Sequence, residues 1–80
     1  MMEKTERDDG LLVRREEADD VSRLVVDTGV GTGVEADAVE GTAILVNEAG
    51  SEPVQREFDL PDGDAEVFIS NGVVTIEVSR

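Results

Sequence analysis

The chain has no cysteine and no histidine, a single lysine (Lys4), and only two aromatic residues, Phe58 and Phe68. Without thiols or imidazoles it can build no disulfide staple, no thiolate or imidazole metal site, and no Cys-His or Ser-His-Asp nucleophilic centre. With so few rings, a glycosidase-like carboxylate pair would have no platform to hold a sugar. No apolar run approaches the roughly 20 residues of a membrane-spanning helix. The N-terminus, MMEKTERDD, is charged where a signal peptide would be apolar. These absences point away from an enzyme, a cofactor carrier or a membrane protein, and towards a cytoplasmic location.

What the chain has in excess is negative charge: 20 Asp and Glu against 7 Lys and Arg, a net −13 on 80 residues. At 0.1 M salt the Debye length is about 10 Å and such carboxylates repel across the whole surface; near 1 M it falls to about 3 Å and most of the repulsion is gone. Two readings fit this composition: the favoured one is a halophilic, acidic protein kept soluble in concentrated salt, and the other an acidic interaction surface for a basic partner. Clustered Lys and Arg, which phosphate contacts require, are missing, so no nucleic-acid binding is expected. The length allows one small domain, which buries only about 60% of its unfolded surface and is marginally stable.

Residues 1–9 show no periodicity and read as a flexible N-terminal arm, with residues 10–80 as the folded domain. Leu11-Leu12-Val13 opens a first strand whose continuation to Glu17 lacks clean alternation, as an edge strand would. Arg23–Asp27 is β-branched and apolar, a central strand. Val34, Ala36 and Ala38 alternate with Glu35 and Asp37, a half-buried strand with small inward residues. Thr42–Val46 is apolar on both parities and therefore central, and Asn47–Ser51 leads as a turn into Pro53, suited to a strand start or an edge.

The last third is the best specified. Val54, Arg56, Phe58 and Leu60 share one parity against Gln55, Glu57 and Asp59, and Pro61-Asp62-Gly63 ends the run with turn residues. Asn71-Gly72 joins the runs ending at Ser70 and starting at Val73, the signature of a type I′ hairpin with φ > 0 at both turn residues. About seven short strands with regular turn signals make an all-β chain, an antiparallel β-sandwich.

Val54-x-Arg56-x-Phe58-x-Leu60-Pro61 followed by Asn71-Gly72-Val73-Val74 resembles the small heat-shock protein (Hsp20/α-crystallin) domain, which reads F-x-R-x-F-x-L-P and later A-x-x-x-N-G-V-L. Valine at 54 stands for the first aromatic, Val67 for the usual alanine and Val74 for the leucine. The chain is similar to short acidic members of that family from halophilic archaea. The resemblance covers about residues 11–80 and implies an α-crystallin-type sandwich, a role in the stress response, and ATP-independent chaperone-like binding of apolar segments. It also implies a groove between the strand at Val34 and that at Phe68, with Val34, Ala36 and Phe68 as candidate client contacts; the residues alone equally allow Phe68, on the polar parity of its strand, as plain packing on the second face of a central strand. The family's arginine lies near a dimer interface, which makes Arg56 a candidate interface residue. An arginine whose stem covers apolar surface is equally compatible with the sequence. The family's long arm, protruding loop and I-x-I tail have no counterpart, so a monomer or small homodimer is expected.

Two constellations carry less. Gly29-Val30-Gly31-Thr32-Gly33 follows an apolar strand, yet valine stands at 34 where G-x-G-x-x-G needs glycine, and a strand pattern follows instead of a helix. Asp59, Asp62, Asp64 and Glu66 are dense but lack the spacing of a calcium loop. The sequence therefore predicts no metal and no cofactor. Its partners are expected to be proteins: unfolded clients or, in an adaptor role, one specific folded partner.

Overall fold

The computed structural model describes residues 2–8, 11–29, 33–47 and 54–79. Of the turn expected at Asn47–Ser51 only Asn47 is described, as the last residue of a strand; the rest of it, the strand start at Pro53 and the centre of the glycine-rich loop at Val30, Gly31 and Thr32 lie outside these residues. Eight antiparallel strands form two sheets, an all-β sandwich without helix among the described residues. They are β1 (Met2–Asp8), β2 (Leu11–Glu17), β3 (Val21–Asp27), β4 (Val34–Val39), β5 (Thr42–Asn47), β6 (Val54–Asp59), β7 (Asp64–Ser70) and β8 (Val73–Ser79). The larger sheet runs β1-β2-β3-β8-β7 and the smaller β4-β5-β6.

The N-terminal segment departs from expectation. Met2–Asp8 is a strand, paired with β2 from Met2↔Glu17 to Asp8↔Leu11. A flexible arm was expected because the segment has no apolar period. An outermost strand held by ladder hydrogen bonds needs none. β2 consequently lies inside the sheet, between β1 and β3, and is not the edge its weak alternation suggests.

Each sheet buries one face, and the register lines the inward residues up in rows. In the larger sheet Val13, Val26 and Val74 stand opposite one another, as do Leu24 and Ile76. The smaller sheet contributes Ala43 and Leu45 from its central strand. Leu11, Val13, Leu24, Val26, Ala43, Leu45, Val74, Ile76 and Val78 form the buried core. β3 and β8 show why: Ser22, Leu24 and Val26 on one, and Val74, Ile76 and Val78 on the other, are all buried on alternate positions. Phe58, expected in the core, is only half-buried and packs against it, because β6 is an edge strand of the smaller sheet.

The turns follow from their residues. Asn71 (φ +52) and Gly72 (φ +78) both take the left-handed region, closing the two-residue hairpin between Ser70 and Val73. The Gly72 carbonyl also accepts from the Thr28 amide (2.8 Å) and from Thr28 Oγ1 (2.6 Å), tying the end of β3 to the hairpin. Arg15, on the inward parity of β2, donates from Nη1 to the Asp59 carbonyl at 2.8 Å and so bridges the two sheets.

Candidate functional site

Five strands face three, so the larger sheet is wider than the one covering it. The inward side of its edge strand β7 is consequently covered in part: Val67 is half-buried, while Ile69 on the same parity stays 45% exposed. β7 is accompanied across the sandwich by β4, itself an edge strand. β4 carries small inward residues, Val34, Ala36 and Ala38, which pack against the core without reaching far over β7. The result is an open cleft of about 470 Å³ lined by Val34, Glu35, Ala36, Asp37, Ile44, Val46 and Ile69.

The cleft wraps the rim of β4. Val34 and Ala36 approach it from the inward parity of β4 and Ile69 from β7. Ile44 and Val46 reach it from β5, where they stand opposite Asp37 and Glu35. Its floor is aliphatic and its two polar side chains are both carboxylates. Among the described residues, the ladder groups of β4 facing away from β5, and of β7 facing away from β8, have no strand paired to them. An unpaired edge beside an apolar hollow is the geometry to which an extended peptide adds as a further strand, its alternate side chains entering the hollow.

Of the expected groove residues, Val34 and Ala36 line the cleft and Phe68 does not. Alternation sends Phe68 to the opposite side of β7, opposite Thr75 on the outer face of the larger sheet, where it is 49% exposed. Ile69 takes the place the sequence reading gave to Phe68. Only part of the signal was available: the core parity of Ile69 is local, while the edge position of its strand follows from the sheet order. Ile44 and Val46 were also missed, although an apolar run on both parities implies that the outward set covers something.

Arg56 lies on the inward parity of β6, opposite Leu45, half-buried with its Nε enclosed. Its stem thus runs along the apolar inner face of the smaller sheet. Leu60 and Pro61 follow β6. Leu60 donates its amide to the Gly41 carbonyl at 2.9 Å, and both line a second hollow of about 570 Å³ at the end of the sandwich. Val73 opens β8 on the outer face. Asp62 and Asp64 border the end hollow with Glu40, yet among the described residues no three carboxylates converge on a point where a metal could sit. After the glycine-rich segment the chain enters strand β4, not a helix whose N-terminus could hold a pyrophosphate.

On the outer face, Arg23 of β3 stands between Glu16 of β2 and Glu77 of β8. It donates to Glu77 Oε2 from Nε (2.9 Å) and Nη2 (2.6 Å), and to Glu16 Oε1 from Nη1 (2.9 Å). The Glu77 carboxylate first, and Glu16 second, hold the guanidinium above its ordinary pKa. This trio is structural, pinning three adjacent strands. Among the described residues no helix is long and apolar enough to cross a membrane.

A family model for a family of unknown function, DUF7127, matches residues 1–78. The chain belongs to this family. Its match runs through β1, so the family unit includes the strand that the sequence reading had set apart from the domain. No curated protein and no solved structure matches the chain.

Proposed function

We propose that the chain is a non-catalytic, ATP-independent protein-binding domain whose cleft between β4 and β7 takes an extended apolar segment of an unfolded or partner protein. One observation carries the reading: Val34, Ala36, Ile44, Val46 and Ile69 form an open aliphatic hollow beside two strand edges that have no strand paired to them among the described residues. The i, i+2 spacing of Val34 and Ala36 suits a ligand strand whose apolar side chains are also two apart, about 6.6–6.8 Å along the strand. The resemblance to small heat-shock proteins, carried by Arg56, Phe58, Leu60, Pro61 and the Asn71-Gly72 turn, supports the same reading and a cytoplasmic, stress-related role as a monomer or small homodimer.

The test is suppression of aggregation of several unrelated heated clients, measured by turbidity at high salt. Wild type should protect, and Ile69→Ser should lose protection while its melting point moves little. No protection by wild type, with a single folded partner recovered instead, would replace the chaperone-like reading with an adaptor role.

A further inference from the structure

Charge is distributed unevenly over the sandwich. Lys4, Arg7, Arg14, Arg15 and Arg23, five of the seven basic residues, belong to β1, β2 and β3. β4 and β7 contain none, yet they carry Glu35, Asp37, Asp64 and Glu66. The two loops at their ends add Glu40 and Asp62, again without a base. Among the described residues, none of those lining the apolar cleft is a cation that would offset Glu35 and Asp37.

We infer that the segment this cleft takes is a strand of alternating apolar residues flanked by lysine or arginine, supplied by another protein. The inference rests on the reading of the cleft as a strand-binding site and adds the charge class of its ligand. Glu35 and Asp37 line the cleft itself, and Asp64 and Glu66 precede the Val67–Ile69 stretch on β7. A strand docked along either edge thus brings its flanks near carboxylates, where Lys or Arg gains Coulomb energy and Asp or Glu loses it. A second copy is a poor occupant for the same reason. The strands bearing the exposed edges of this side are acidic, so pairing one copy's β4 or β7 with another's sets carboxylates against carboxylates. The acidic rim thus disfavours pairing of β4 or β7 with the same strands of a second copy, a use of charge common on exposed edges.

Three labelled peptides and the full chain test this by fluorescence anisotropy at about 0.3 M and about 2 M salt, conditions that bracket strong and weak screening. One has a Val-x-Ile core with lysine flanks, one the same core with glutamate flanks, and one lysine flanks around a serine core. The lysine-flanked apolar peptide should bind about three- to tenfold tighter than the glutamate-flanked one at the lower salt, as a few surface ion pairs allow. That preference should shrink at the higher salt, and the serine-core peptide should not bind. Equal binding of the two apolar peptides at the lower salt would overturn the charge inference and leave the cleft reading standing. Equal binding of both lysine-flanked peptides would overturn it in favour of unselective attraction. Binding by none of the three would overturn both.

Discussion

Phe68 and Ile69 are neighbours in the chain and lie on opposite faces of β7: Ile69 lines the cleft with Val34 and Ala36, and Phe68 stands opposite Thr75 on the outer face. Both are nearly half exposed, so replacing either by serine should cost only about 1 kcal/mol of stability. Their effects on binding should separate. Ile69→Ser should abolish client protection and Phe68→Ser should leave it close to wild type, measured by turbidity with melting curves as the control. Loss of protection in Phe68→Ser alone would move the binding surface to the outer face.

Gly63 and Gly41 offer a second contrast. Both have positive φ, +146° and +71°, but their surroundings differ. A Cβ on Gly41 would meet nothing closer than the Leu60 carbonyl oxygen at 4.0 Å, so Gly41→Ala should carry mainly the conformational cost, about 1 kcal/mol. A Cβ on Gly63 would collide with the Ser79 carbonyl oxygen and lie 2.9 Å from Val78 Cγ1, which forces the loop away from the end of β8. Gly63→Ala should therefore lower the midpoint of chemical unfolding clearly more than Gly41→Ala. Equal shifts would show that the approach of this loop to β8 is not as close as described.

The core and its rim should also differ. Leu45 is 2% exposed on the central strand of the smaller sheet, and Leu45→Ala should cost about 2–5 kcal/mol. Phe58 is larger but half-buried on an edge strand, so Phe58→Ala should fall towards the lower end of the ~3–5 kcal/mol range for buried phenylalanine, or below it. Equilibrium denaturation of the two variants checks the order. A Phe58 variant that fails to fold while the Leu45 variant folds would place the centre of the core on β6.

Strand positions were legible because alternation, Asn71-Gly72 and Pro61-Asp62-Gly63 are local signals. The hairpin closed with both turn residues at positive φ, as the Asn-Gly pair requires. Inward faces were legible too, since Leu24, Val26, Val74 and Ile76 follow the period of two. Two things were not. β1 is held by backbone pairing, and a ladder leaves no mark on side-chain pattern. The exposure of Ile69 depends on one sheet having five strands and the other three, a long-range fact that no window of sequence contains. For the cleft, the sequence supplied Val34 and Ala36, while Ile44, Val46 and Ile69 needed the register of β5 and the order of the sheets.

Stability should rise with salt. Glu66 and Glu77 are directly opposite on β7 and β8, and β4 and β7 carry carboxylates without a base among them. Like charges across a ladder destabilise it, and a domain has only ~5–15 kcal/mol of stability to lose. The melting temperature, followed by far-ultraviolet circular dichroism, should increase steadily from about 0.1 M to about 3 M salt as screening lengths fall below the spacing of the carboxylates. A melting point unchanged across that range would refute the expectation, drawn from the composition, of a surface adapted to high salt.

The central claim, that an extended apolar segment binds between β4 and β7, is tested most directly by amide chemical-shift mapping. The labelled protein would be titrated at high salt with an apolar Val-x-Ile peptide. The largest shifts should fall on Val34–Asp37, on Ile44 and Val46, and on Val67–Ile69, with Arg23, Val25 and Thr75 on the outer face unmoved. Shifts centred on Val25, Thr75 and Phe68, with Val34 and Ala36 silent, would contradict it.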